Sequence, residues 1–261
     1  MEAIQSYYLN KHDTKYNKNK NNELIIKGFV WANESIRILL NDITIQQNIL
    51  LDYFPQFKEN IQYMKTFDSI DEYKIKSYVE EMIHNDKISG IIVIVITNYQ
   101  IILLDKTLQD VYIIDPTSML NIKSIHNISF LEKVILPIFK QNKYNIEHVQ
   151  LSYPAQITHK DPYSNTWLLY LLIECLDQLY NMHGISIIMI PDKTKHKNNI
   201  LSNFHKNILS NKKIKNELTT LYLDFINQNI HLFETINDLE ILLETDPCEI
   251  ILHHCTFKMP I

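Results

Sequence analysis

Residues Gly90 to Ser118 read GIIVIVITNYQIILLDKTLQDVYIIDPTS. Gly90 to Ile96 is an unbroken run of Ile and Val, Tyr99 to Leu104 is a second apolar run, and Val111 to Ile114 a third. Asp105 to Asp110 is a polar turn between the last two. Short β-branched runs divided by polar turns predict strands, and the first is apolar enough to be central in a sheet covered on both faces.

Helical periodicity lies on both sides of this block. Upstream, Ser69 to Asn85 places Ile70, Tyr73, Tyr78, Val79, Met82 and Ile83 on one face, with Asp68 or Ser69 set to cap it. Ser35 to Leu50 also has helical spacing, and Glu23 to Val30 reads as a short strand. Downstream, a helix is expected at Ser129 to Gln141 and a strand at Ile146 to Leu151. A loop with two prolines, Tyr153 to Tyr163, leads to a helix over residues 165–182 that is apolar almost all round. Such a helix is normally enclosed by the rest of the fold. Ile185 to Ile190 reads as a buried strand ended by Pro191, residues 198–244 as two or three helices, and Glu249 to His254 as a last short strand. The order predicts an α+β fold with one central sheet.

Composition narrows the function classes. The chain has 261 residues, 46% hydrophobic and 21% charged, with room for a substantial core. It has only 3 glycines and a single arginine, Arg37, while Ile, Asn, Lys and Tyr are plentiful. That bias follows A/T-rich codons and points to an A/T-rich virus, parasite or bacterium. The formal net charge of -5 gives no basic field for nucleic acid. The one basic run, Lys11 to Lys20, is polar and Asn-rich and reads as part of a flexible arm over residues 1–22. Cys175, Cys248 and Cys255 are odd in number and lack C-x-x-C spacing, which fits a reducing compartment. No apolar stretch reaches the roughly 18 clean residues of a membrane span. His253-His254-Cys255 alternate across a strand and do not make a metal site, so no cofactor is expected.

Chemistry is concentrated in two segments. Asn98 to Ser118 is a hairpin-like pair of strands that ends in Asp115-Pro116. Pro154 to Trp167, PAQITHKDPYSNTW, holds a loop amide, Gln156, and then Ser164 just before the buried helix. This arrangement resembles the adenain and Ulp1-type cysteine peptidases, in particular the branch found in large DNA viruses. The resemblance covers about residues 88–182. It implies a papain-like or adenain-like fold: a central mixed sheet flanked by helices, with the nucleophile position at the N-terminus of a buried helix. Asp115 matches the family's acid, Gln156 its oxyanion-hole amide and Trp167 the tryptophan of the viral branch. Tyr99 and Trp167 are expected at the substrate groove.

The chain departs from the family where chemistry is most demanding. The family histidine falls on Asn98 and the family cysteine on Ser164. A cysteine peptidase needs a thiolate, favoured by a helix N-terminus and an imidazolium, and that imidazole later protonates the leaving amine. Asn98 can do neither. A serine hydroxyl is far less acidic than a thiol, and losing a single triad member costs on the order of 10⁴-fold in rate.

Each residue also has a plain structural reading: Ser164 as a helix cap, Asn98 as a turn residue, Asp115 as a strand terminator and Trp167 as core. The resemblance therefore implies a catalytically inactive viral homologue acting as a binding or virion-associated protein. Its partner would be a peptide, a ubiquitin-like protein or a viral structural protein, in host cytoplasm or virion, with neither nucleic acid nor membrane involved. Residues 23–261 would form one domain, with residues 192–248 as a helical C-terminal extension. The alternative is an active hydrolase of protein or ubiquitin-like substrates. In it Ser164 replaces the nucleophile and a base such as His159 comes from elsewhere.

Overall fold

A computed structural model of the chain describes residues 31, 35, 38–40, 42–55, 63–67, 71–96, 100–117, 130–155, 164–182, 184–229 and 248. The chain divides into two compact units, Leu40–Lys197 and Met1–Leu39 with Asn198–Ile261.

The first unit is built in the order α1 (Ile43–Tyr53), β1 (Met64–Phe67), α2 (Glu72–His84), β2 (Ile91–Ile96), β3 (Gln100–Asp105) and β4 (Asp110–Ile114). A π-helical turn, Leu131–Ile135, then runs into α3 (Leu136–Gln141), followed by β5 (Asn145–His148) and α4 (Ser164–Met182). The strands form a five-stranded sheet in the order β1-β2-β3-β4-β5. β2, β3 and β4 are joined by antiparallel ladders, whereas β1–β2 and β4–β5 are parallel. Parallel neighbours need a crossover, and α2 and α3 lie in those two connections. The protein is thus α+β, with a mixed sheet flanked by helices.

Side-chain alternation decides what each face packs against. Ile92, Ile94 and Ile96 share a cluster with Ile102, Leu104, Val111 and Ile113, and with Ile75, Val79, Met82 and Ile83 of α2 and Ile135 and Phe139 of the second crossover. On the other face Val95 and Ile101 meet Leu168, Leu169 and Leu172 of α4. Every residue of β2 and β3 is buried. That is why these strands read as continuous apolar runs rather than as an alternation. Each fully buried aliphatic side chain contributes about 1.5–3 kcal/mol relative to exposure.

Several local expectations change. Helix α2 is capped by Asp71, not by Asp68 or Ser69: its Oδ1 accepts from Lys74 N–H at 3.1 Å. The hydrogen bonds and charge of Lys74 hold the Asp71 carboxyl below the ordinary carboxylate range. The buried face is Ile75, Val79, Met82 and Ile83, and Tyr73, expected on it, is 80% exposed. Strand β5 spans Asn145–His148 rather than Ile146 to Leu151. β1 was not anticipated, because MKTF is four residues with no apolar run. Ile185 to Ile190 is not a buried strand; it makes one isolated parallel bridge, Leu151 with Ile188, and Ile187 and Met189 face solvent. Among the described residues the segment has no partner on its far side, and it buries Ile188 and Ile190 alone. The strands expected at Glu23 to Val30 and Glu249 to His254 lie outside the described residues.

The π-helical turn has a local cause. Pro137 lacks an N–H, so the Lys133 carbonyl loses its usual partner. The helix widens ahead of it, and Leu136 N–H reaches back five residues to the Leu131 carbonyl.

The β3–β4 turn is held by side chains instead of glycine. Asp105 Oδ1 accepts from Thr107 and Leu108 N–H at 2.8 and 3.0 Å, and Gln109 adopts φ 58. From the same turn Lys106 Nζ donates to the Met82 and Asn85 carbonyls at 2.8 and 2.7 Å. This closes the C-terminal end of α2, where a cation is favoured. Lys106→Met removes the Lys106 donor from the Met82 carbonyl and leaves the Asn85 carbonyl with Ile88 N–H at 3.1 Å. A loss of about 1–2 kcal/mol in urea unfolding is expected, and no change would show the contact to be idle.

The second unit contains the helices α5 (Thr194–Ile208) and α6 (Lys212–Gln228), α5 belonging to it from Asn198. Leu201, Phe204 and Ile208 of α5 and Ile214, Leu218, Tyr222 and Ile226 of α6 are buried. Trp31 donates its indole N–H to the Leu221 carbonyl at 3.1 Å, and its ring lies 5.1 Å from that of Tyr222. His205 is fully buried, and burial pushes its imidazole down to about 4. Helices were expected over residues 198–244; those found end at Gln228, and residues 230–244 lie outside the described part.

Candidate functional site

Asp115 follows the last residue of β4. The β3–β4 ladder ends with Ile101 opposite Ile114, so one further step in register brings Asp115 to the level of Gln100. Asp115 is 7% exposed. Its Oδ1 accepts from Thr117 N–H at 2.8 Å, and Thr117 Oγ1 donates to it at 2.6 Å. An aspartate that bonds main chain two residues on, with proline between, stops a strand and starts a turn. The terminator reading of Asp115 therefore holds locally, and the turn anchors the carboxylate at the sheet end.

The loop that carries Gln156 is tied to the same turn. Ala155 N–H donates to the Pro116 carbonyl at 2.8 Å. The residue before Gln156 thus touches the residue after Asp115. Lys197 Nζ donates to the Pro154 carbonyl at 2.6 Å and steadies the loop from its other side. Gln156 and His159 lie outside the described residues.

Ser164 is the first residue of α4. The next residue, Asn165, borders a small cavity with Leu168 of the same helix and with Val95 and Ile101 of the β2–β3 hairpin. Val95 opposite Ile101 is the rung before the last one, Ile96 opposite Gln100, and residues 97–99 join those two strands. Asn98 and Tyr99 are in that connection and outside the described residues. The helix start therefore packs against the hairpin end from which residues 97–99 lead. The cavity is about 10 Å³, room for one water at most.

Gln100, Ala155 and Asn165, the described residues next to the family-equivalent positions, and Asp115 itself lie toward one end of the sheet. Asn98 is reached from Ile96 and Gln100, Gln156 from Ala155, and Ser164 from Asn165, while Asp115 is itself described. Register and the turn at Pro116 produce this arrangement.

Two further residues are decided by burial. Trp167 is 1% exposed, with its ring edge-on to Tyr170 at 5.9 Å. It is packed inside the unit and does not line an open groove. Cys175 is fully buried in α4, and burial followed by the nearby Glu174 charge pushes its thiol up. A thiol held neutral inside the core is not a nucleophile, so Cys175 does not supply one.

Sequence reasoning passed over His148. It ends β5, pairs with Ile113 two residues before Asp115, and is exposed. Its only sequence signal is a histidine closing a polar tetrapeptide, which marks many surface strands. Among the described residues no group of three or more metal-binding side chains is found, and no helix is long and apolar enough to cross a membrane.

Comparison with protein-family models, with curated proteins and with solved structures found no match in any of the three.

Proposed function

We propose that the chain is a peptidase-like scaffold of the adenain and Ulp1 type that has lost its catalytic pair and acts by binding. It would hold an extended peptide, a ubiquitin-like tail or a viral structural protein at the sheet end beside α4, in host cytoplasm or in the virion. One observation carries the reading: the Ala155-to-Pro116 hydrogen bond of 2.8 Å, which brings the loop before Gln156 against the turn after Asp115. Residues 116 and 155 are about forty apart in the chain, and their contact supports the reading because the resemblance requires the acid and amide segments to be neighbours.

The chemistry follows from what remains and what is missing. Main-chain N–H groups at a helix N-terminus attract a carbonyl oxygen or a carboxylate, so binding survives. Turnover needs a proton acceptor at position 98 and an acidic nucleophile at position 164, and Asn98 and Ser164 are neither.

Assays of the unaltered protein on peptide and ubiquitin-like substrates are expected to give no turnover above background and no change on Ser164→Ala. The reading falls if turnover is seen and Ser164→Ala abolishes it. Loss of that turnover on His148→Ala or His159→Ala would then identify the base of an active hydrolase.

A further inference from the structure

Residues 186–190 form an edge of the first unit that has no partner on its far side among the described residues. Ile188 N–H donates to the Gln150 carbonyl at 2.9 Å, and Ser152 N–H donates to the Ile188 carbonyl at 3.0 Å. Ser152 Oγ accepts from Ile190 N–H at 2.8 Å and lies 2.8 Å from the Ile190 carbonyl. At the other end Ser186 N–H donates to Gln178 Oε1 at 2.7 Å. In an extended chain, alternate residues turn their N–H and C=O groups to opposite sides. Ile188 is committed to residues 150–152, so the main-chain groups of Ile187 and Met189 turn the other way. Neither residue makes a hydrogen bond to any described residue. Their side chains are 52% and 74% exposed, and Tyr153, one residue past Ser152, is 47% exposed.

An unpaired strand edge that carries apolar side chains is a template for another strand, and proteins usually blunt such edges with charge, proline or a covering element. Here the charges stand at one end only. Lys193 and Lys195 are exposed just past Pro191, and Asp192 is the single carboxylate between Ile190 and Lys197. Lys197 fixes this basic turn beside the Pro154 carbonyl. The chain as a whole carries a net charge of -5, so the cluster runs against the general sign. The edge therefore has polarity. An acidic segment meets Lys193 and Lys195 with opposite charge, which a second copy of this lysine-bearing edge does not.

We propose that this edge takes an extended peptide of a partner protein as an added strand, its acidic side chains lying over Lys193 and Lys195. The surface does not depend on the peptidase-like reading, since it uses neither Asn98 nor Ser164.

The test uses the full chain and two fluorescein-labelled peptides of alternating valine and threonine, one ending in three glutamates and one in three lysines, followed by anisotropy. The glutamate peptide is expected to bind better. Met189→Pro removes an N–H that the fold does not use and should weaken binding about tenfold, roughly the worth of one charge-independent strand contact. Lys193→Glu with Lys195→Glu leaves the main-chain bonds intact and should reverse the preference between the peptides. Hydrogen exchange should show Ile187 and Met189 amides slowed by the glutamate peptide. Equal binding of both peptides, or binding unmoved by both variants, would overturn the proposal. So would a dimer in sedimentation that Met189→Pro abolishes, which would make a second copy the occupant.

Discussion

The double substitution Asn98→His with Ser164→Cys is expected to raise peptide hydrolysis by at least about 10³-fold over the unaltered chain, because each missing group is worth on the order of 10⁴-fold where the rest of a triad is in place. The two changes are expected to be non-additive. Ser164→Cys alone supplies a thiol with no imidazole to take its proton, and Asn98→His alone supplies a base with no thiol. Asp115 should then become necessary. It already has one oxygen held by Thr117 at 2.8 and 2.6 Å, which fixes the orientation of its carboxylate. Asp115→Ala in the double variant should remove most of the gain. A bell-shaped pH–rate profile should appear, with thiol and imidazole as its two limbs. If the double variant folds as shown by circular dichroism and remains silent toward several peptide and ubiquitin-like substrates, the sheet end is not arranged as a peptidase, and the peptidase-like reading fails.

Trp167→Ala is expected to lower the unfolding free energy by about 3–5 kcal/mol, the usual cost of emptying a buried indole site. The ring is 1% exposed and packed edge-on to Tyr170. Near neighbours on α4 offer little room to collapse, since Leu168, Leu171 and Leu172 are themselves buried. A shift of the thermal midpoint of about 10 °C follows for a unit of this size. Trp167→Phe should cost less than half as much. A loss below about 1 kcal/mol for Trp167→Ala would mean that the ring faces a groove after all and that the packing reading is wrong.

Much of the sheet was legible in advance, and for a definite reason. β2, β3 and β4 are covered on both faces, so their composition alone separates them from their turns. The polar segment Asp105 to Asp110 works as a turn through its own side chain, with Asp105 bonding Thr107 and Leu108. Helix α4 was legible because it is apolar almost all round. The start of α2 was misplaced because Asp68, Ser69 and Asp71 are all acceptable caps. Which one is used depends on where Ile75 must sit against Ile92 and Ile94. β1 was missed because a short edge strand takes its identity from its neighbour: Met64 to Phe67 becomes a strand by pairing with Val93 to Ile96. The segment Ile185 to Ile190 was misread in the opposite sense. Its composition is that of a buried strand, yet the only main chain it pairs with among the described residues is Gln150 and Ser152.

The candidate site divides in the same way. The residue types at positions 98, 115, 156 and 164 could be read directly, and with them the absence of an imidazole and a thiol where the resemblance expects them. Ionisation is a property of the side chain, so that loss is visible in one dimension. Whether the four segments come together could not be read. It depends on the β3–β4 register that puts Asp115 level with Gln100, on the Ala155 bond to Pro116, and on the packing of Asn165 and Leu168 against Val95 and Ile101. Each of these joins residues distant in the chain, and only the assembled sheet with α4 packed on it sets their separation. Burial was likewise decided by the tertiary structure: it made Trp167 and Cys175 core and left Ile187 and Met189 in solvent. Hydrophobicity is a property of the residue, whereas exposure is a property of what the rest of the chain places beside it.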